Sequence, residues 1–225
     1  MEGKLVKILI ICSGGVDSCS MAGKYRNEDV SLLTFDYGQK EVKETDVVNE
    51  LGKLIGANVI KMDISAFKGI FGENQLSGTD EILPGYDKSV VVPLRNSMFL
   101  QIAMIYAYTN KFDKVVLGSH LNDITEIDGE RCYPDCSPEF FKAFELAMDL
   151  GTFRSDKTVR VESASILKME KSDLIKIGYD TLGDFIYKTW SCYTSQEKHC
   201  GNCESCNNRK RYFKEAGIED RTKYE

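Results

Sequence analysis

An apolar run that leads into two glycines is the feature that most constrains the fold of this chain. Residues 8–12 read Ile-Leu-Ile-Ile-Cys and predict a buried strand, and residues 13–18 read Ser-Gly-Gly-Val-Asp-Ser and predict a turn into a helix. A strand that ends in glycines and continues as a helix directs backbone N–H groups and a helix N-terminus at one point, where an anion can bind. The sequence therefore predicts a pyrophosphate-sized anion site after the first strand.

The residue types of this loop indicate how it would hold phosphate. The hydroxyls of Ser13 and Ser18 are donors, whereas an ionised Asp17 only accepts hydrogen bonds and is suited to hold Mg²⁺. The loop lacks the lysine of a Walker A motif and the G-x-G-x-x-G pattern of dinucleotide-binding folds. It resembles the SGGxDS loop of the PP-loop, or N-type, ATP pyrophosphatases, which cleave ATP between the α- and β-phosphates. The alternative is an ordinary strand-to-helix turn built from small residues.

Composition indicates a soluble, enzyme-sized domain with one core. The chain has 225 residues, of which 42% are hydrophobic and 28% charged. Its net charge of -6 argues against a protein that binds nucleic acid by neutralising phosphates. We find no apolar run near the roughly 18 residues of a membrane span, and the N-terminal apolar run is too short for a secretory signal. We therefore expect a cytoplasmic protein.

Four of the eight cysteines form a cluster near the end of the sequence. Cys192, Cys200, Cys203 and Cys206 have the spacing C-x7-C-x2-C-x2-C, which can bring four thiolates to one tetrahedral Zn²⁺. A cytoplasmic compartment disfavours disulfides. Because four thiolates leave no open position on the ion, we expect a structural zinc site. The alternatives are a redox C-x-x-C pair or unrelated buried thiols.

Apolar runs alternate with helical patterns along the first 120 residues, which predicts βαβ units and a parallel sheet. The predicted strands are 8–12, 30–35, 58–62, 114–118 and 159–162, and the predicted helices are 18–25, 42–55, 96–108, 138–150 and 171–178. Helix 96–108 is apolar enough to be largely buried. Residues 68–88 show little periodicity and predict a mobile cover, followed by a short extended piece at 90–93.

Polar residues follow several of these apolar segments. They lie at 34–39, at 95–96 and at 118–123, and ligands of an open parallel sheet bind at the carboxyl ends of its strands. Arg95 can contact a phosphate or carboxylate through two parallel hydrogen bonds, although a surface ion pair is an equally good interpretation. For His120, a hydrogen-bonded spectator is a better interpretation than a catalytic base.

Six blocks of residues occur in one order along the chain. They are Ser-Gly-Gly-Val-Asp-Ser at 13–18, Phe-Asp-Tyr-Gly-Gln at 35–39, Val-Pro-Leu-Arg-Asn at 92–96, Tyr-Pro-Asp-Cys at 133–136, Thr-Trp-Ser-Cys-Tyr at 189–193 and Cys-Gly-Asn-Cys-Glu-Ser-Cys at 200–206. In this order they resemble the 7-cyano-7-deazaguanine synthase, or preQ0 synthase, family over nearly the whole chain. The resemblance implies an α/β fold of the adenine nucleotide alpha hydrolase type, an open parallel sheet with helices on both faces, and a C-terminal helical and zinc-knuckle region.

The resemblance also implies an activity. ATP, ammonia and 7-carboxy-7-deazaguanine would be converted to the nitrile preQ0 for queuosine or archaeosine, with release of AMP and pyrophosphate. Adenylation activates the carboxylate, ammonia displaces AMP to give an amide, and a second adenylation allows dehydration to the nitrile. ATP with Mg²⁺ would be the co-substrate, and one structural Zn²⁺ per chain the cofactor.

The resemblance implies roles for individual residues. The ATP-binding residues are Cys12, Ser13, Gly14, Gly15, Val16, Asp17, Ser18, Cys19, Tyr37 and Gln39, the catalytic residues are Asp17, Ser18, Arg95 and Lys171, and the substrate-binding residues are Arg95, Asn96, Asp135 and Glu139. A carboxylate can accept two N–H groups of a deazaguanine edge at once, which favours Asp135 as the reader of the base. The alternative for Asp135 is a turn-forming aspartate after proline.

Two departures from the family lie near the expected base pocket. Ser137 stands where the family usually has arginine, and the connection from 123 to 133 is longer than usual. The identity of the acceptor substrate therefore stays open. Related proteins of this shape act in tRNA thiolation or attach a deazaguanine-like group to protein. A zinc-knuckle module that binds a nucleotide without catalysis is a further alternative.

The blocks divide the chain into three expected regions. A nucleotide-binding core spans 1–125, a substrate-pocket and helical region spans 126–188, and the zinc knuckle with the tail spans 189–225. We expect small-molecule substrates and a homodimer, with no direct contact to nucleic acid or membrane.

Overall fold

The computed structural model describes residues 5–39, 43–72, 74–76, 81–153, 158–194 and 196–225. The strands are β1 Lys7–Ile11, β2 Asp29–Asp36, β3 Asn58–Asp63, β4 Lys114–Leu117, β5 Glu126–Ile127, β6 Glu130–Arg131 and β7 Arg160–Ser163. The α-helices are α1 Val16–Lys24, α2 Glu44–Ile55, α3 Arg95–Thr109, α4 Pro138–Leu150, α5 Lys171–Leu182 and α6 Glu204–Ala216. Shorter 3₁₀-helices span Ser65–Phe71, Lys88–Val90, Leu121–Ile124, Pro134–Cys136 and Gly183–Lys188.

Five strands form one parallel sheet in the order β3-β2-β1-β4-β7. Ile8 of β1 is paired with Val30 on one side and with Lys114 on the other. The chain moves outward from β1 through β2 to β3, and then returns to the opposite side of β1 as β4. The sheet therefore has its topological switch point between β1 and β4, where ligands of open α/β sheets bind. The predicted parallel sheet is confirmed.

Successive residues of β1 point to opposite faces of the sheet and enter two hydrophobic cores. Leu9 packs into the core that contains Leu100 of α3 and Phe141 of α4. Ile8 packs into the core that contains Leu174 of α5, together with residues of α1 and α2. Because both faces of the central strands β1 and β4 are covered, the sequences of these two strands are almost continuously apolar. The predicted arrangement of helices on both faces is confirmed.

Several boundaries differ from the sequence prediction. The piece predicted to be extended at 90–93 begins instead as the 3₁₀-helix Lys88–Val90, and the predicted helix 171–178 continues to Leu182. Position 42 and parts of the predicted cover lie outside the described residues. β7 pairs with β4 inside the main sheet, so the expected boundary after residue 125 falls within the sheet-forming part of the chain.

One segment has the length and composition of a membrane span, which the sequence analysis did not anticipate. It covers Lys88–Thr109 with a mean hydropathy of 1.3, and 33% of it is buried. The α-helix within it has 15 residues, which is about 22 Å, whereas a bilayer core is about 30 Å thick. Leu100 and Ala103 pack on the sheet. The α-helix is therefore shorter than a bilayer core, and its buried side packs on the sheet.

Candidate active site

The loop between β1 and α1 opens into a cavity of about 630 Å³ at the switch point. Gly14 has a φ of +92°, and a Cβ there would lie 2.4 Å from the carbonyl oxygen of Glu44. At the end of β4, a Cβ on Gly118 would lie 2.8 Å from the backbone nitrogen of Ser18. Both positions therefore require glycine. Gly15 is the N-cap of α1 and provides no side-chain cap, so the first N–H groups of the helix are free to bind an anion.

The two serines of the loop hold its shape. The backbone N–H of Ser13 donates to Oγ of Ser18 at 3.2 Å, and the Ser18 hydroxyl donates to the carbonyl oxygen of Gly15 at 3.2 Å. The backbone N–H of Gly15 donates to Oγ of Ser13 at 3.2 Å. Ser13 and Ser18 both line the cavity. The sequence therefore places two hydroxyls and a bare helix end around one point, as predicted.

Lys171 lies beside Asp17, although 154 positions separate them in the sequence. Nζ of Lys171 donates to Oδ2 of Asp17 at 2.7 Å, and the backbone N–H of Lys171 donates to Oδ1 of Asn122 at 2.8 Å. Burial alone would raise the pKa of Asp17, but the charges of Lys171 and His120 outweigh burial and hold it below its usual value. Burial alone would lower the pKa of Lys171, but Asp17 and Asp123 raise it. Both groups are therefore charged at neutral pH.

Asp17 also presents an oxygen that suits a cation. Oδ1 of Asp17 is buried and has no hydrogen-bond partner among the described residues. Nε2 of His120 lies 3.7 Å from this oxygen and 3.4 Å from Oδ1 of Asp123. Carboxylate oxygens beside phosphate are the ligands that Mg²⁺ prefers. Asp17 therefore fits the predicted Mg²⁺-holding role, and His120 lies at the centre of the site rather than apart from it.

Aromatic residues form the part of the cavity next to β2. The rings of Phe35 and Phe99 are stacked with centroids 4.5 Å apart. The guanidinium of Arg95 lies 5.4 Å from the Tyr37 ring centroid and donates to its hydroxyl at 2.8 Å. Oε1 of Gln39 accepts the backbone N–H of Tyr37 at 3.0 Å. These residues line the cavity with flat apolar surfaces and an arginine, a combination that suits a nucleotide.

Asp135 lies in the 3₁₀-helix Pro134–Cys136 and lines the same cavity. Its Oδ2 accepts the backbone N–H of Asn96 at 3.3 Å. Burial raises the pKa of the Asp135 carboxyl, and Asn96 and Arg95 only partly oppose this. Arg95, Asn96 and Asp135, which the resemblance grouped as substrate-binding residues, therefore converge.

Three predicted site residues do not lie in the cavity wall. Glu139 is exposed on α4, where its carboxylate pairs with Arg131 at 3.4 Å. It lies outside the residues that line the cavity, and its substrate-binding role stays a prediction. Cys19 is buried beneath the loop, and Gly14 faces Glu44 rather than the cavity. In this position Gly14 and Cys19 shape the loop, and their contact with ATP stays a prediction.

Both departures from the family pattern have a local structural role. Ser137 is buried and caps α4, because its Oγ accepts the backbone N–H of Phe140 at 3.3 Å. The long connection contains the two-stranded ribbon β5–β6, and Ile127 of this ribbon lines the cavity. The ribbon therefore contributes to the cavity wall, whereas Ser137 caps α4 outside that wall.

Part of the predicted cover does lie over the cavity. Pro84, Gly85 and Tyr86 line it. Nδ2 of Asn207 on α6 donates to the carbonyl oxygen of Pro84 at 2.9 Å, and the Tyr86 hydroxyl donates to the carbonyl oxygen of Cys132 at 2.9 Å. This segment is therefore attached to α6 at one point and to the chain after the ribbon at another.

The four predicted metal ligands lie together in the tail. The Sγ atoms of Cys192, Cys200, Cys203 and Cys206 all lie within 4.8 Å of one another, and those of Cys200 and Cys206 are 3.9 Å apart. Zinc–sulfur bonds of about 2.3 Å in a tetrahedron place sulfurs about 3.8 Å apart. The backbone N–H of Cys203 donates to Sγ of Cys200 at 3.3 Å, which stabilises a thiolate. The cluster fits one structural Zn²⁺.

The tail reaches back to the phosphate loop. The backbone N–H of Trp190 donates to the carbonyl oxygen of Gly14 at 3.0 Å. Arg209 of α6 is fully buried, and its guanidinium donates to the hydroxyls of Thr189 and Ser191 at 2.9 and 3.0 Å. The bond between Trp190 and Gly14 joins segments that are far apart along the chain, so no local pattern predicts it.

A glycine loop of this kind at the switch point of a parallel sheet defines the class of protein: an ATP-using enzyme of the PP-loop type. The model of the family described as queuosine biosynthesis protein QueC matches residues 7–217. The chain belongs to this family. Its four-cysteine cluster is the one that the six blocks predicted.

Curated relatives match the chain over nearly their whole length. A 7-cyano-7-deazaguanine synthase from Marinomonas sp. (strain MWYL1) is 33% identical over 226 residues, which cover 97% of this chain and 98% of that protein. The 7-cyano-7-deazaguanine synthase of Brucella ovis is 35% identical over 229 residues, 98% of this chain and 94% of that protein. Among solved structures, NMN synthetase from Francisella tularensis is 14% identical, with a TM-score of 0.48 over 96% of this chain and 79% of that chain.

Proposed function

We propose that this protein converts 7-carboxy-7-deazaguanine and ammonia to 7-cyano-7-deazaguanine at the expense of ATP. The observation that carries this proposal is the intact phosphate loop with its Asp17–Lys171 pair, in a chain that matches 7-cyano-7-deazaguanine synthases end to end. Asp135 shares the cavity with that pair, so one site can hold both ATP and an acceptor. A non-catalytic module would not need this charged pair.

The chemistry requires positioning and charge stabilisation more than acid–base groups. A carboxylate oxygen of the deazaguanine attacks the α-phosphorus, and pyrophosphate leaves. Ammonia then attacks the acyl carbon, AMP leaves with the carboxylate oxygen, and a proton is lost to give the amide. In a second round the amide oxygen attacks another ATP, and loss of AMP and two protons from this adenylate leaves the nitrile. Both rounds use the same leaving groups, so one site can perform both.

The residues have separate tasks in this scheme. Lys171 and the N–H groups at the start of α1 face the negative charge that develops on the leaving pyrophosphate. Asp17 and the hydroxyls of Ser13 and Ser18 would hold Mg²⁺ and phosphate oxygens; bound Mg²⁺ neutralises charge on the polyphosphate. Arg95 and Asn96 lie between the aromatic wall and Asp135, where they would orient nucleotide and acceptor.

The first test is the identity of the products. Purified protein with ATP, Mg²⁺, ammonia and 7-carboxy-7-deazaguanine is expected to release two AMP and two pyrophosphate per nitrile, because the loop lacks the lysine of γ-phosphate chemistry. Mass spectrometry of the base and chromatography of the nucleotides measure this. ADP and phosphate as products, or an unchanged base, would contradict the proposal.

Asp135→Asn tests the reading of the base. If the carboxylate accepts two N–H groups of the base, asparagine replaces one of the two acceptors by a donor. The mismatched hydrogen bond costs about 1 to 3 kcal/mol of binding free energy, which raises the KM for the deazaguanine about tenfold or more. The KM for ATP is expected to stay near wild type. Asp128→Asn, an exposed position in the ribbon turn, is the matched control. Equal losses for both substrates would show that Asp135 is structural.

Several finer expectations belong to the same proposal. We place the enzyme in the cytoplasm and expect a homodimer that works on free small molecules without contacting nucleic acid. The net charge of -6 supports the last point. Sedimentation of the purified protein measures the oligomeric state.

A further inference from the structure

Two residues of the zinc knuckle point into the active-site cavity and have no task in the chemistry above. Tyr193 directly follows the zinc ligand Cys192, and Glu204 directly follows the zinc ligand Cys203. The Tyr193 hydroxyl donates to Oε2 of Glu204 at 2.6 Å. Both side chains line the cavity. The metal cluster therefore anchors both partners of one hydrogen bond at the wall of the site.

Aromatic side chains surround this pair. Tyr86 and Tyr133 line the cavity beside it, and their rings meet edge to face with centroids 5.8 Å apart. Tyr86, Tyr133 and Tyr193 therefore form an aromatic wall beside the Glu204 carboxylate.

The Glu204 carboxylate can still accept hydrogen bonds from a ligand. Its Oε2 accepts from Tyr193, and its Oε1 accepts from the side-chain amide of Asn208. An ionised carboxylate has about four lone-pair sites, so two remain after these bonds. A carboxylate repels the polyphosphate of ATP, whereas flat aromatic walls with a fixed acceptor suit a planar base that carries N–H groups. This end of the cavity is therefore suited to the acceptor and not to ATP.

We infer, on the basis of the proposed function, that Glu204 accepts the pyrrole N–H of the free deazaguanine base and that Tyr193 holds it in place. The base has two donor edges. The pyrimidine edge carries an N–H and an amino group, which are proposed for Asp135, and the five-membered ring carries one further N–H at position 9. Two carboxylates from different parts of the chain thus hold the two ends of one base.

This arrangement makes the zinc knuckle a wall of the substrate site. It also selects for the free base, because a nucleoside or an N9-methylated base lacks the donor that Glu204 requires. A site built to hydrogen-bond an N–H group discriminates against an analogue that lacks the group, on the order of tenfold at a half-buried acceptor such as Glu204. Glu204 is then a specificity-determining residue and Tyr193 a positioning residue.

The test compares zinc-loaded wild-type protein with Glu204→Gln, Tyr193→Phe and the control Glu219→Gln. Glu219 is exposed and pairs only with a surface arginine among the contacts described. Calorimetry measures the Kd for 7-carboxy-7-deazaguanine, for its N9-methyl derivative and for ATP with Mg²⁺, and metal analysis measures zinc per chain. Wild type and the control are expected to bind the free base about tenfold more tightly than the N9-methyl base.

Glu204→Gln is expected to bind the free base about tenfold more weakly, to lose the preference over the N9-methyl base, and to keep its zinc and ATP affinity. Tyr193→Phe is expected to show the same pattern with a smaller loss. The inference would be overturned if both variants bound the free base as wild type does, or if Glu204→Gln kept the preference for the free base over the N9-methyl base. It would also be overturned if a variant lost zinc or affinity for ATP along with its affinity for the base. Wild-type protein that binds no deazaguanine at all would instead contradict the proposed function.

Discussion

Asp17→Asn is expected to lower turnover by at least about a hundredfold, which is the usual effect of removing a charged group from a preorganised site. Lys171 would lose its 2.7 Å partner, and the orphaned oxygen suited to Mg²⁺ would be replaced by an amide. The side chain binds rather than packs, so the loss of stability should be modest. Pyrophosphate release measures turnover, and thermal unfolding measures stability.

Asp180→Asn is the matched control for this variant, because Asp180 is exposed on α5, the helix that begins at Lys171. It should behave as wild type in both measurements. Near-normal turnover of Asp17→Asn would show that Asp17 does not hold the metal ion. A variant that unfolds would show that the Asp17–Lys171 pair mainly serves stability.

Cys203→Ala is expected to remove zinc and to unfold the tail. The wild-type chain should carry about one Zn²⁺, and metal-binding free energy is folding free energy in a knuckle of this kind, about 10 kcal/mol or more in zinc-binding peptides. Since Trp190 of the tail is hydrogen bonded to Gly14, affinity for ATP should fall as well. Metal analysis, circular dichroism and nucleotide binding measure these effects.

Cys132→Ala is the control for the zinc site. Cys132 is a buried free thiol outside the metal cluster, so this variant should keep its zinc. Loss of zinc from Cys203→Ala with folding and activity retained would show that the metal is incidental. Retention of zinc by Cys203→Ala would show that Cys203 is not a ligand.

The phosphate loop and the zinc ligands could be predicted because each lies within one short segment. Residues 13–18 follow one strand, and Cys200, Cys203 and Cys206 are separated by single turns. Local backbone geometry therefore brings the donor groups together before any tertiary contact forms. The alternation of strands and helices likewise predicted the sheet, because burial on both faces requires continuous apolar runs.

Asp135 and Glu139 show where sequence reasoning reached its limit. Both are acidic residues at the start of the same region, but Asp135 turns into the cavity and Glu139 points to solvent from α4. Their side-chain directions depend on how the 3₁₀-helix and α4 pack against the sheet. The position of His120 beside Asp17 could not be predicted for the same reason, because the two residues follow different strands and meet only when β1 and β4 pair.

By itself the sequence determined the chemistry of the phosphate end, the parallel sheet and the metal ligands, because these depend on neighbouring residues and on the pattern of burial. The tertiary structure decided which distant groups share the cavity. Lys171 meets Asp17 across 154 positions, and Glu204 reaches the cavity because the zinc knuckle folds back over the sheet. Such contacts follow from the packing of whole elements, and no local pattern encodes them.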